Sequence, residues 1–166
     1  MVKVDLPFTG IATFFKLPPA SEVGISGADA VLFGIPYDCS VGFRPGARFG
    51  PRAIRDMSVR YSFTRSGSVV NGYFDLDLGR KRLSGRKLVD AGDVDIVYTD
   101  ISSIYANVDT LVREVLDCGA MPVAVGGDHS ITYPVVRALD RFPSLSILHL
   151  DSRSWRRRWS QPDPPA

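Results

Sequence analysis

With 166 residues, 45% of them hydrophobic and 23% charged, the chain has room for one domain with a real core and is short for two. Its formal charge of +2 is unevenly spread: Arg153, Arg156, Arg157 and Arg158 fall close together, and the rest is slightly acidic, which gives the body no electrostatic reason to bind nucleic acid. Apolar runs far below the roughly 20 residues of a membrane span, an N-terminus without a secretory pattern and two unpatterned cysteines, Cys39 and Cys118, point to a cytoplasmic protein with no membrane attachment and no disulfide framework.

In chain order, "ADAVLFGIP" from Ala28 to Pro36 is a short apolar run ended by proline, the pattern of a buried strand. After a glycine-rich loop, "GPRAIRDMSVRYSF" predicts a helix: Pro51 suits a first turn, and Ala53, Ile54, Met57 and Tyr61 recur at helical spacing as its apolar face. The following stretch through Arg86 holds several glycines and no sustained period, so it predicts loop with short extended pieces; "DLD" at Asp75 to Asp77 belongs to it as a solvated turn. "KLVDAGDV" predicts a second strand. From Asp100, a helical stripe of Ile101, Ile104, Tyr105, Val108, Leu111, Val112, Val115 and Leu116 ends at Gly119. "AMPVAVGG" predicts a third strand, "SITYPVVRALDRF" a helix with Pro134 in its first turns, and "LSILHLD" a fourth strand near residues 145–150. Wholly apolar strands alternating with helices imply an α/β fold, a three-layer α/β/α sandwich around a mainly parallel sheet.

Such sheets bind ligands beyond the carboxyl ends of their strands. Two stretches occupy that position, Gly126-Gly127-Asp128-His129-Ser130 and Asp151. If their strands are neighbours, His129 and Asp151 share a crevice, and an imidazole with a carboxylate suits a borderline divalent metal such as manganese or zinc. The same residues also suit a plain helix cap, with Asp128 accepting backbone N–H bonds. In the loop "VGFRPGARFGP", Gly46 permits a tight turn, and Arg44 and Arg48 are expected to tie the loop to carboxylates and carbonyls rather than to meet a cationic ligand.

"AVGGDHSI" and "GIPYDCSVGFRPGARFGPRAIR" resemble the ureohydrolase family, which includes arginase, agmatinase and guanidino-acid hydrolases; the second motif is closer to the agmatinase branch. The resemblance covers roughly residues 8 to 152. It implies an arginase-like fold, a pair of manganese ions that make water nucleophilic enough to split a small guanidino substrate into urea and an amine, and a homo-oligomer in the intact family. It implies that His129 and Asp151 are metal ligands, and that Arg44, Gly46, Arg48, Gly126, Gly127 and Asp128 support the site.

The pattern then breaks. Where the family's motif after Asp151 continues with His and Asp, this chain has Arg153 and Trp155, which offer a metal no lone pair. The family's downstream carboxylate pair has no counterpart. Residues 1–152 are therefore expected to be the N-terminal part of a ureohydrolase domain. Residues 153–166 are expected to be an unrelated, disordered basic tail containing proline, from a shifted frame or altered splice, or else a small amphipathic anchor built on Trp155 and Trp159. On this reading the chain is truncated and inactive, and acts, if at all, by associating with intact subunits.

Overall fold

The computed structural model describes residues 8–61 and 70–151; the tail after Asp151 and its boundary lie outside the described residues. In chain order the elements are α1 (Ala20–Val23), β1 (Ala30–Ile35), α2 (Gly50–Ser58), β2 (Tyr73–Asp75), β3 (Arg80–Arg82), β4 (Leu88–Asp93), α3 (Ile101–Asp117), β5 (Met121–Gly126) and α4 (Thr132–Arg137). Single 3-10 turns occur at Phe14–Lys16, Ala47–Phe49 and His129–Ile131. Strands β4, β1 and β5 form a parallel sheet in that order, and β2 and β3 form a separate antiparallel hairpin, the short extended pieces foreseen for that stretch.

β1 is buried along its whole length because both faces are covered. On one face, Phe33 and Ile35 pack with Ile104, Val108 and Val112 of α3 and with Ala138 after α4. Full burial of each such side chain stabilises the fold by about 1.5–3 kcal/mol. α3 is the helix that its apolar period predicts: Ile104, Val108, Val112 and Val115 are buried, Asp100 caps it by accepting from the Ser102 and Ser103 N–H groups, and Gly119 takes the left-handed conformation that ends it. On the opposite face Leu32 packs with Phe14, Leu17 and Val70.

α2 covers that second face in a way its sequence conceals. The residues it buries are Pro51, Arg55 and Ser58. Ile54, Met57 and Tyr61, the apolar residues at helical spacing, are 45%, 59% and 60% exposed, and with Phe15 and Ala53 they line an open groove of about 410 Å³. The reason is electrostatic. Arg55 Nε donates to Asp90 Oδ2 at 2.9 Å and Nη2 to Asp90 Oδ1 at 3.0 Å, while Nη1 reaches Asp93 Oδ1 and Nη2 also reaches the Gly92 carbonyl. The guanidinium lies 4.2 Å over the ring of Phe14. This bidentate, nearly buried pair fixes which way the helix turns, and its apolar stripe is left outside. Gly34 lets the helix come close: a Cβ there would lie 2.8 Å from Pro51 Cβ and 1.9 Å from Asp93 Oδ1.

Two expectations need correction. α2 and α4 stop at Ser58 and Arg137, short of the helices drawn from sequence. Residues 144–151 pair with no strand among the described residues, so "LSILHLD" is an unpaired segment with Leu145, Ile147, Leu148 and Leu150 exposed. An apolar run becomes a strand only when a ladder partner satisfies its backbone, and here none does. Cys39 and Cys118 are free and exposed.

Candidate metal centre

β1 and β5 run in continuous register from Ala30 opposite Met121 to Ile35 opposite Gly126, so their carboxyl ends are level and the loops that follow meet. The junction is tight. The Asp128 N–H donates to the Tyr37 carbonyl at 2.7 Å, and the Ser40 N–H donates to Asp128 Oδ2 at 2.9 Å. Gly127 sits at φ +38°, and a Cβ there would lie 2.3 Å from the Tyr37 oxygen and 2.6 Å from that of Ile35. A Cβ on Gly126 would lie 2.2 Å from Ile131 Cδ1. These two glycines are needed because a strand end, a neighbouring loop and a 3-10 turn occupy one small volume.

Asp128 does what a cap does: its Oδ1 accepts from the Ser130 N–H at 2.9 Å and from the Ser130 hydroxyl. The capping and metal readings of this motif are thus compatible, since the cap turns the next residue, His129, outward. His129 stacks on His149, ring centroids 4.9 Å apart and planes 11° from parallel. His149 Nε2 lies 3.5 Å from Asp151 Oδ2. One donor atom from each of His129, His149 and Asp151 falls within 4.8 Å of the other two, and all three residues are exposed.

A tetrahedral ion with bonds of about 2.1 Å has donors about 3.4 Å apart. The His149–Asp151 separation already matches that edge, and a modest closing of His129 would complete a face. Two imidazole nitrogens and a carboxylate oxygen suit a divalent transition ion, so the residues present fit such a group. Sequence reasoning brought His129 and Asp151 together correctly but passed over His149. The signal was available: residues i and i+2 of an extended segment point the same way, so His149 had to share a side with Asp151.

The preceding loop is a scaffold. Asp38, 1% exposed, accepts from the Gly46 N–H at 2.6 Å and the Arg48 N–H at 3.1 Å, and its carboxylate pairs with the Arg48 guanidinium. The Arg48 hydrogen bonds hold the Asp38 carboxyl below its ordinary value of 3.8 against the opposing effect of burial. Arg48 also lies 4.7 Å over the ring of Tyr98, whose hydroxyl donates to the Pro36 carbonyl. Arg48 therefore ties the loop down as expected. Arg44 differs: it is exposed at φ +54°, against the Phe43 ring, with no ion pair among the described residues.

The sequence profile of the arginase family matches residues 28–153. Among curated relatives, the chain is 32% identical to an agmatinase of Bacillus subtilis over 128 residues, 76% of this chain and 40% of that one. It is 33% identical to a guanidinopropionase of Pseudomonas aeruginosa over 147 residues, 89% of this chain and 42% of that one. Among solved structures, proclavaminate amidinohydrolase from Streptomyces clavuligerus superposes with a TM-score of 0.64 at 30% identity, covering 81% of this chain and 41% of that one. A Trypanosoma cruzi formiminoglutamase described with Mn2+ superposes with a TM-score of 0.55 at 32% identity, covering 73% of this chain and 40% of that one. The chain spans 38% to 51% of the length of the curated relatives it matches.

Proposed function

The chain belongs to the arginase family, and from that premise we propose that it carries the metal-binding part of an agmatinase-like hydrolase acting on the C–N bond of a linear guanidino compound. The observation that supports this most is the meeting of His129 and Asp151 beyond the level carboxyl ends of a parallel sheet. His129 and Asp151 are the proposed ligands, and manganese is the proposed ion. Bound there, the metal supplies the Lewis acidity that makes water nucleophilic near neutral pH, which a resonance-stabilised guanidinium requires.

The chain's own residues have defined parts in this reading. Asp128 sets the turn that presents His129, Gly126 and Gly127 let that turn lie against Tyr37, and the Asp38–Arg48 pair fixes the loop beside it. Arg48 has its charge matched by Asp38, which lessens its repulsion of a cationic substrate. Residues 1–152 are proposed to form the family's N-terminal unit, in a cytoplasmic homo-oligomer. Exposed free thiols suit that reducing setting, and no helix among the described residues is long and apolar enough to cross a membrane.

We further propose that these 166 residues alone do not turn over a substrate. The described residues bring together one group of three donors, too few to hold two close ions in defined geometry. This favours the second reading, a family member that acts through association with longer subunits. The test is urea release from agmatine with added Mn2+, beside calorimetric Mn2+ titration. Weak Mn2+ uptake that disappears in His129→Ala and in Asp151→Asn, with urea at background, is expected. Arg153→His with Trp155→Asp, which restores the family's motif, should strengthen uptake and leave urea at background. Turnover that copurifies with the chain and is lost in His129→Ala would overturn the non-catalytic part. Mn2+ uptake untouched by either single substitution would overturn the proposed ligands.

A further inference from the structure

Arg80, Lys81, Arg82, Arg86 and Lys87 follow one another closely in the sequence. Two of these cations are answered locally: Arg86 pairs with Asp29, and Lys87 Nζ donates to the Ser26 carbonyl at 2.6 Å. The other three make up β3, are all exposed and have no ion pair among the described residues. We propose that the outer edge of β3 is a docking surface for an extended acidic peptide segment, which adds to the hairpin as a third strand. The inference is independent of the metal centre and of the hydrolase reading.

The hairpin is a built surface. It is rooted in the core at Val70, 1% exposed, whose N–H donates to the Arg86 carbonyl at 2.9 Å and whose carbonyl accepts from the Gly85 N–H at 3.0 Å. Val70 packs with Phe14, Leu17 and Leu32 under the sheet. The two strands pair in register, Tyr73 with Arg82, Phe74 with Lys81 and Asp75 with Arg80. Among the described residues β3 has no strand neighbour other than β2, so backbone N–H and C=O groups along its second side face outward without a ladder.

The occupant follows from charge. Cations along an edge repel a like strand and admit an acidic one. Arg80 and Arg82 share one face of the hairpin, about 7 Å apart along the strand, which is also the spacing of alternate residues on an incoming strand. A peptide with carboxylates at alternate positions therefore meets both guanidinium groups while its backbone extends the ladder. Two other polyanions fit less well. Nucleic acid single strands bind on stacking rings, and the aromatic residues here, Tyr73 and Phe74, lie on β2, away from the open edge. A lipid surface would have to receive the turn, where the Asp77 carboxylate stands between the exposed Leu76 and Leu78. Asp75 does not contest the edge, because it lies on β2 and accepts from the Leu78 N–H at 3.0 Å.

The probe is a fluorescein-labelled peptide of alternating glutamate and threonine, titrated with the full chain and followed by anisotropy. Binding should be saturable and should weaken by about tenfold or more between about 0.05 and 0.5 M salt. Arg80→Gln with Arg82→Gln should weaken it about tenfold with an unchanged circular dichroism spectrum. Arg52→Gln with Arg60→Gln removes the same charge from exposed positions in and after α2, and should leave binding as it was. Arg80→Glu with Arg82→Glu should transfer binding to a matching peptide of lysine and threonine. Methylation of alternate backbone amides in the glutamate peptide should abolish binding, because the ladder loses its donors. Equal loss in the two glutamine variants would overturn the proposal, since net charge alone would then explain it. So would binding untouched by the hairpin substitutions, a methylated peptide that binds as well as its parent, or no saturable binding at all. Tighter hairpin-dependent binding of oligouridine or of phosphatidylglycerol vesicles than of the peptide would overturn the choice of occupant.

Discussion

Replacing Arg55 by Leu would leave the Asp90 carboxylate, 2% exposed, with only the Phe14 and Gly92 N–H groups as donors among the described residues. A buried charge that loses its counterion costs about 3–5 kcal/mol, a large share of the 5–15 kcal/mol that holds a typical domain together. Arg55→Leu should therefore lower the urea midpoint severely, and Arg55→Lys should recover little, since an ammonium cannot reach Asp90, Asp93 and the Gly92 carbonyl at once. Asp38 gives a pH signature instead. Its folded value is depressed below 3.8, so the stability it contributes is complete above that value and is lost as pH falls through the folded one. Denaturant midpoints measured down the acid range should fall below about pH 4, and Asp38→Asn should flatten that part of the profile while lowering the neutral plateau.

The turn after β5 is where an element and the site constrain each other. Gly127→Ala forces a Cβ against two carbonyl oxygens at positive φ, a strain of about 1–3 kcal/mol, and should lower the melting temperature and weaken Mn2+ uptake together, because His129 moves with the turn. Gly42→Ala is the matched control: it has open space and no left-handed backbone, and should leave both unchanged. Much at this scale was legible beforehand. β1, β5 and α3 each carry an apolar run or period that located them, and β4 was found although it buries Asp90. The buried face of α2 was not legible because Arg55, charged on paper, is the residue that face is built around, and no periodicity of apolar residues records a partner in a distant strand. Leu145–Leu150 misled for the converse reason: its pattern equals that of β5, but strandhood depends on a neighbour. His149 was lost through the same error, since a residue assigned to a strand interior is not weighed as a ligand.

At the scale of the whole molecule, the sheet has three strands and β5 has a single partner among the described residues, β1. Leu148 and Leu150 are 85% and 86% exposed, and the α2 groove is lined by apolar side chains. An unpaired edge and exposed leucines each favour association. Sedimentation velocity over a concentration series should show self-association that Leu148→Lys with Leu150→Lys reduces, with the melting temperature unchanged because neither side chain is part of the core. The strand order carries a separate consequence for synthesis. The middle strand is made first: β1 leaves the ribosome about 90 residues before β5, its partner along its full length. At about 5–20 residues per second this is a wait of about 5–18 s in which "AVLFGI" lacks its β5 edge and its full α3 cover. The six residues that later form the most enclosed strand thus keep an open edge for those seconds, a site at which a nascent chain can stick to another.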